Sequence, residues 1–573
     1  MRTVAREMRI ELAGKSVSRA MAVLLLLGLL ASASSVQMAE AALEVNCWLA
    51  HLADNPESVE DNGLYKDESS ARVLEHRITP SELEELKERI GVGRTENWTE
   101  TVSDYGTGLR PPTEEEWEQI TSGAIYVVER VTLDSTEAPS SVDHTAGQWF
   151  PPIGSQGTEG SCVAWAVGYY MKSFQEAKEH GWDLSDPLAP WTCRDKFVSP
   201  DFVYHLINGG VDGGSSFYDA ITLVCSVGAC SWEKMPYDAR DSSSWPSEEA
   251  WREAPLYRGS SSGFEHLWLE TDVGLTSLKN WLASDNLAVI SVDSWKYSSL
   301  TSDDVWTLDN YVNPSENHAN TVVGYDDDLE YTESGESRRG AFKVANSWGE
   351  GSWETIPDGC YWISYEAMKQ RVGYCMFYRD MVGYKPTLLS SFSIDHNRRG
   401  ECDVSIGVGK HWSPYAVKSF SALTDGGNHP FCANNIVLDI TEFKDAVPVY
   451  NKSLFLRVLD WEDAITGRIT HFSVEYYRSN SSSTPDLVIT SEDTPVDTAT
   501  QEFVYVDLLL KSRIDFDGNG KVDVEDIVIA VSAYGSRSGD ANWIPDADLA
   551  PAYGLIDIFD LVTLAYYYGT TFV

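Results

Sequence analysis

Residues 151–181, PPIGSQGTEGSCVAWAVGYYMKSFQEAKEHG, constrain the fold more tightly than any other stretch of the chain. A Pro- and Gly-rich loop runs directly into an unbroken apolar and aromatic segment, and Gly181 supplies a helix stop. The pattern predicts one long helix with Cys162 in its first turn. Unpaired backbone N–H groups and the helix dipole favour a thiolate there and depress its pKa. Such a thiolate needs a base to hold and move a proton, and the base needs an orienting group. A buried or disulfide-bonded cysteine is the competing reading of the position.

Charge narrows the class. Against 43 Lys and Arg stand 88 Asp and Glu in 573 residues, a formal charge of −45. A polyanion of this kind has nothing with which to release counterions from phosphates, which excludes nucleic-acid binding. With 43% hydrophobic and 12% aromatic residues the chain can bury ordinary cores, and its length predicts several domains.

Residues 1–41 read as an export signal. Arg2, Arg6, Arg9, Lys15 and Arg19 precede the apolar run Ala20 to Ala31, with small residues and cleavage expected after Ala33 or Ala41. That run is short of the roughly 20 apolar residues of a spanning helix, and no later segment is apolar enough. The expectation is an extracellular or cell-surface protein without a transmembrane segment. In an oxidising compartment, Cys225 with Cys230, Cys360 with Cys375, and Cys402 with Cys432 are disulfide candidates. Nine is an odd count, leaving one cysteine unpaired; Cys47 and Cys193 have no evident role.

Between residues 42 and 139 the chain is acidic and irregular. Capping boxes at Ser81/Glu84 and Thr113/Glu116 announce two short helices, the first closed by Gly91. From about 140 to 386 a Trp-, Tyr- and Gly-rich region carries helical patterns first and strand patterns later. Residues 387–510 contain short alternating runs, DVSIGV, NIVLDI, SLFLRVLDW, THFSVEYY and FVYVDLLL, which predict a β-sandwich. Ser479 to Thr500 reads as a loop. In residues 511–573 acidic loops alternate with short apolar helices.

The residues around Cys162 resemble the nucleophile motif of papain-like cysteine peptidases. They are Gln156, Gly157, Gly160, Ser161, Cys162, Ala164 and Trp165. The family's histidine strand is matched by His318-Ala-Asn-Thr-Val-Val-Gly324-Tyr325, and its N-S-W-G motif by Asn346-Ser347-Trp348-Gly349. The resemblance implies a two-lobed α+β catalytic domain over 140–386, with 42–139 as the pro-segment of a zymogen. It also implies that Cys162 attacks the scissile carbonyl, that His318 moves the proton and that Asn346 orients His318. Trp348 would shield that pair, Gln156 would help form the oxyanion hole, and Gly213 and Gly214 would let an extended substrate pair with backbone. The sequence departs from the family at Glu159, which replaces the cysteine three places before the nucleophile. Val211-Asp212 stands where the partner motif G-C-x-G-G would be, so that disulfide is absent as a unit. His318 lies 156 residues after Cys162, and the excess after His318 reads as an acidic hairpin, DDDLEYTESGESRRG.

Asp515, Asp517, Asn519, Lys521, Asp523 and Asp526 stand at positions 1, 3, 5, 7, 9 and 12 of a calcium loop, with Gly520 at the sharp turn and Lys521 offering its carbonyl. A second copy keeps Asp548, Asp557 and Asp560 but has Ala550 and Ala552 at positions 3 and 5. Two such loop–helix units resemble a dockerin, a small EF-hand-like module. The resemblance implies structural Ca²⁺ and a cohesin-like partner read by Val524, Glu525, Ile558 and Phe559. Residues 387–505 show a looser similarity to the P domain of proprotein convertases. Taken together, the sequence predicts a secreted Cys-His-Asn endopeptidase needing no cofactor for catalysis. A surface adhesion protein with a silent papain-like fold and a thiol acyltransferase or transpeptidase are the alternatives.

Overall fold

The computed structural model describes residues 72–77, 80–94, 101–102, 105–122, 126–131, 138–300, 305–351, 356–420, 423, 427–444, 454–461, 466–477, 484–508, 514–516, 521–544, 547–549 and 554–568. The export signal and Cys47 lie outside them. Among the described residues, no helix is long and apolar enough to cross a membrane.

Both helices expected before residue 139 are present, at Pro80–Ile90 and Glu114–Ser122. At the second, Thr113 Oγ1 accepts from Glu116 N–H (3.1 Å) while the Glu116 carboxylate accepts from Thr113 N–H (2.6 Å), the reciprocal bonds of a capping box. Four strands accompany them: β1 (Arg72–Arg77), β2 (Thr101–Val102), β3 (Tyr105–Gly106) and β4 (Tyr126–Val131). They form two small antiparallel pairs, β1 with β4 and β2 with β3.

The helix predicted from Cys162 runs continuously as Cys162–Ala164, Trp165–Lys172 and Ser173–His180, and ends on Gly181 in the left-handed conformation (φ 64°). Its middle section is wound as a π-helix, a local widening that hydropathy patterning does not reveal. Behind it lies an eight-stranded sheet built from β5 (Ser141–Asp143), β6 (Gly259–Trp268), β7 (Ala288–Val292), β8 (Val305–Trp306), β9 (His318–Glu333), β10 (Glu336–Ala345), β11 (Cys360–Ser364) and β12 (Tyr374–Asp380). The spatial order is β6-β12-β7-β9-β10-β11-β8, with β5 on β9. The acidic hairpin forms as expected, since β9 and β10 pair antiparallel out to Glu333 opposite Glu336.

Two further antiparallel sheets are built from β13 (Leu388–Asp395), β14 (Cys402–Lys410), β15 (Ser413–Ser419), β16 (Ile436–Asp439), β17 (Leu454–Asp460), β18 (Arg468–Tyr476), β19 (Leu487–Thr490), β20 (Val496–Asp497) and β21 (Phe503–Leu508). One runs β16-β13-β18-β19 with β20 on β18, the other β15-β14-β17-β21. The stretch read as a loop, Ser479 to Thr500, contains β19 and β20. Their short edge strands lie among Ser, Thr and Pro residues that hide the alternation. At the C-terminus, helices Val524–Ser532 and Ile558–Tyr566 pack around Ile514, Val522, Ile527, Leu561 and Leu564 as a core of their own.

The disulfide expectation is corrected. All eight cysteines among the described residues are free. Cys360 on β11 and Cys375 on β12 are separated by β7, β9 and β10. Neighbouring strands lie about 4.8 Å apart, so these two are far beyond the roughly 7 Å Cα limit of a disulfide. Cys402 and Cys432 instead turn their thiols to the carbonyls of Arg398 and Asn434. Cys225 and Cys230 are buried in separate surroundings. The Cys225 carbonyl accepts from Arg258, and the Cys230 carbonyl accepts from the backbone N–H of Ser199.

Candidate active site

His318 opens β9 and Asn346 follows β10, so the pairing of these neighbouring strands brings both side chains to one end of the sheet. The His318 Nε2–H donates to Asn346 Oδ1 at 2.7 Å, which leaves Nδ1 as the unprotonated nitrogen of a neutral ring. Nδ1 is buried and has no hydrogen-bond partner, the condition of a base awaiting a proton. Cys162 arrives from the helix on the other side. The backbone N–H of Ala319, the residue after the histidine, donates to its Sγ at 3.4 Å. Trp348 covers the histidine with ring centroids 5.2 Å apart.

Gln156 lies in the loop before the helix and is fully buried. Its Oε1 accepts from Ser347 Oγ (2.6 Å), which fixes the amide with its nitrogen toward the nucleophile loop. One N–H of that nitrogen donates to Glu159 O (2.7 Å), and an amide carries a second. Asn320 was not singled out by the sequence. It donates from Nδ2 to Asn346 Oδ1 (3.0 Å) and accepts at Oδ1 from Tyr297 and Tyr361. The signal was its position two residues after His318 on one strand, which places both on the same face.

The chain before residue 139 covers this site. Tyr105 stacks on Trp348 at 5.2 Å, and the Trp348 Nε1–H donates to Gly106 O (3.4 Å). Gly106 N–H donates to Gly157 O, and both Gly108 and Leu109 donate to Asn317 O. Leu109 forms a parallel bridge with Ser215, whose N–H donates to Gly108 O while its carbonyl accepts from Arg110 N–H. A side chain at Gly108 (φ 152°) would put its β-carbon 2.1 Å from Gly160 O, so only glycine passes there. Arg110 then anchors the segment, with Nη2 2.8 Å from Glu116 Oε1 and 2.6 Å from Asp219 Oδ2.

This cover decides the protonation states. Cys162 and His318 are both fully buried. Burial pushes the Cys162 thiol up to about 12, against the smaller opposing effect of backbone N–H groups from Ala319, Val163, Cys162 and Leu109. Burial lowers His318 to about 4, partly offset by its bond to Asn346. The depressed thiol expected from the helix N-terminus is therefore corrected for this state, because desolvation outweighs the N–H groups and dipole. The glycine expectation is also refined. Gly213 N–H turns back to Val211 O and Gly214 N–H donates to the Tyr204 hydroxyl, so the backbone that pairs with the covering strand is Ser215. Gly214 (φ 78°) matters as clearance, since a β-carbon there would lie 2.4 Å from Gly108 O.

In the C-terminal units, Asp526 Oδ1 accepts from Phe516 N–H and Oδ2 from Asp523 N–H. Asp560 does the same toward Leu549 and Asp557. Each position-12 carboxylate thus ties its loop closed and caps its helix. Asp517 and Asn519 lie outside the described residues. In the first unit Asp523 Oδ1 also accepts from Glu525 N–H at 3.0 Å. In the second, Asp548 Oδ2 already accepts from Gly554 N–H, and alanines replace two donors. Of the partner-reading positions, Glu525 is exposed, but Ile558 is buried at 2% exposure and cannot contact a partner; it belongs to the small core.

No protein-family model matches the chain, and no curated protein matches it. Solved structures similar to it are cysteine proteases. Xylellain from Xylella fastidiosa is 20% identical, with 42% of this chain and 87% of that one covered at a TM-score of 0.32. Digestive procathepsin L 3 of Tenebrio molitor is 14% identical, covering 61% of this chain and 93% of its own, at 0.33. Bromelain from Ananas comosus, solved with the E64 inhibitor, is 16% identical over 42% and 99%, at 0.30.

Proposed function

We propose that the protein is a secreted cysteine endopeptidase of the papain-like type, here in its zymogen state. The observation that carries the reading is the His318–Asn346 bond that leaves His318 Nδ1 unpartnered, with the Cys162 thiol held by the N–H of the next residue, Ala319, beneath residues 105–110. In the uncovered enzyme, Nδ1 takes the thiol proton and the thiolate attacks the carbonyl carbon of the substrate. The backbone N–H of Cys162 and the second N–H of Gln156 then bind the oxyanion, each donor worth about 3 kcal/mol. The imidazolium returns its proton to the leaving amine, an acylated Cys162 remains, and water activated by His318 releases the acid. Asn346 is neutral and suffices, because the thiolate–imidazolium pair supplies both charges.

Removal of the segment ahead of residue 139 is the activation step. A mature start near Ser140 is supported by the pairing of β5 with β9 and by Asp327 N–H donating to Ser140 O. Residues 387–510 serve as a β-sandwich module. Residues 511–573 act as a calcium-dependent docking module for a cohesin-like domain, with Asp515, Asp517, Asn519, Lys521, Asp523 and Asp526 holding the ion.

The test is the intact mass of wild type, Cys162→Ala and Gly108→Ala after exposure to an epoxysuccinyl thiol probe. Processed wild type takes one adduct and Cys162→Ala takes none. Gly108→Ala expels the covering strand, so its unprocessed form labels at least about tenfold faster than unprocessed wild type. Labelling of the unprocessed wild type stays slow and flat between about pH 4 and 12, because neither buried group ionises in that window. An absent adduct on processed, reduced wild type removes the peptidase reading.

A further inference from the structure

Glu159, Asp201 and His205 are 1%, 2% and 1% exposed, and their ligating atoms all lie within 4.8 Å of one another. His205 Nε2 is 3.7 Å from Asp201 Oδ1 and 4.0 Å from Glu159 Oε1. Neither His205 Nε2 nor Asp201 Oδ1 has a hydrogen-bond partner, and the Glu159 carboxylate is approached only by the hydroxyls of Tyr237 and Ser161. Buried polar atoms are normally paired, and an imidazole nitrogen and a carboxylate oxygen left unpaired beside a second buried carboxylate form an arrangement that a cation resolves.

The outer contacts point the same way. His205 Nδ1–H donates to Ser244 O at 2.6 Å, so Nε2 carries the lone pair and aims it at the two carboxylates. A lone pair turned toward two carboxylates is repulsive with nothing between them. Asp201 Oδ2 accepts from Asp238 N–H (2.8 Å), which fixes the carboxylate with Oδ1 toward the cluster. An imidazole held through Nδ1–H to a carbonyl, beside an oriented carboxylate, is how metal-binding histidines are typically supported.

We propose that Glu159, Asp201 and His205 form a structural site for a first-row divalent cation, Zn²⁺ being the probe of choice. One imidazole nitrogen and two carboxylates suit such an ion better than Ca²⁺, which takes oxygen donors. Two negative charges balance its charge. Donors about 2.1 Å from one ion lie roughly 3.0–3.6 Å apart, so the two spacings from His205 Nε2, 3.7 and 4.0 Å, close with a shift of a few tenths of an ångström. The site joins two segments. Glu159 stands three residues before Cys162, and Asp201 and His205 lie on and just beyond helix Pro200–Tyr204. The ion thus ties the loop before Cys162 to this helix, while Asp212, which accepts from Gly160 N–H at 2.8 Å, ties it separately to the segment after the helix.

The experiment uses the full chain carrying Cys162→Ala, so that no thiol at the catalytic centre holds metal. Protein stripped with chelator is given Zn²⁺ in the presence of Ca²⁺, gel-filtered and assayed for bound zinc. The site predicts about one Zn²⁺ per chain and a higher Tm. In Glu159→Gln and in His205→Gln, zinc affinity falls about tenfold or more. Retention of no zinc by the parent overturns the proposal and leaves the cluster to protons. Equal retention by the variants overturns it as well, placing the ion elsewhere. X-ray absorption on the zinc-loaded parent decides the matter without any variant folding. A shell of nitrogen and oxygen agrees with the site, whereas sulfur would assign the ion to a cysteine. The readout is metal, not turnover, so the outcome is independent of the peptidase reading.

Discussion

Two regions follow the eight-stranded sheet in the chain, and they are attached in opposite ways. Residues 388–508 share one hydrophobic core with the helix and sheet that carry Cys162 and His318, whereas residues 514–568 form a separate small core. The first attachment is polar as well as apolar. Arg258 pairs with Asp439 at 2.5 Å, their side chains 7% and 0% exposed. Arg252 holds Glu475 through two bonds, Arg399 lies over the Trp245 ring, and His429 Nε2–H donates to Gly210 O. That last contact reaches the loop bordering the cleft. The difference teaches which following part belongs to the body of the larger unit and which can be removed from it.

Asp439→Ala tests the shared body most severely. It strands the Arg258 guanidinium in the interior and removes the acceptor used by Tyr384 and Thr441. Breaking a buried pair from one side costs about 3–5 kcal/mol. The expected result, read by urea denaturation, is one cooperative transition at lower midpoint in which probe labelling of Cys162 and the sheet signal are lost together. Two separated transitions would mean that residues 388–508 are an independent domain.

A smaller effect is expected at Gly427, which has φ 69° and whose added β-carbon would lie 1.8 Å from Gly209 O. Gly427→Ala carries about 1–3 kcal/mol of backbone strain and pushes the cleft-side loop away. On the proposed function, the processed protein then shows a higher KM for a peptide substrate with kcat nearly unchanged, although residue 427 lies beyond the eight-stranded sheet. An unchanged KM would show that the contact is only adhesive.

How much of this was legible before the structure follows the same division. The Cys162 helix, the His318 strand and the hairpin after it are written in local sequence: a breaker-free run, a strand opening, and the acidic stretch DDDLEYTESGESRRG. Five strands of the following sheets were likewise visible in short alternating runs. What could not be read was anything set by contact between distant segments. The passage of Gly106 and Gly108 over the nucleophile depends on close backbone approach, and glycine has no side chain to signal it. The free cysteines follow from strand order, which spacing in sequence does not encode. Asn320 and the Glu159–Asp201–His205 cluster needed the third dimension to bring their polar atoms together.

The smallest predicted effect sharpens the other half of the comparison. Asp515→Ala together with Asp526→Ala removes the closing bond from Phe516 N–H and one side of the cap on helix Val524–Ser532. Loss of a cap costs about 1 kcal/mol, and loss of the proposed Ca²⁺ adds to it. Because the affected core is confined to residues 514–568, the loss stays there. Limited proteolysis should cut the variant near the C-terminus sooner than wild type, and a calcium chelator should bring wild type to the same state. The Tm of the larger unit and probe labelling of Cys162 should stay unchanged. A fall in either would mean that the small core transmits its stability to the rest, and the division drawn between the two attachments would be wrong.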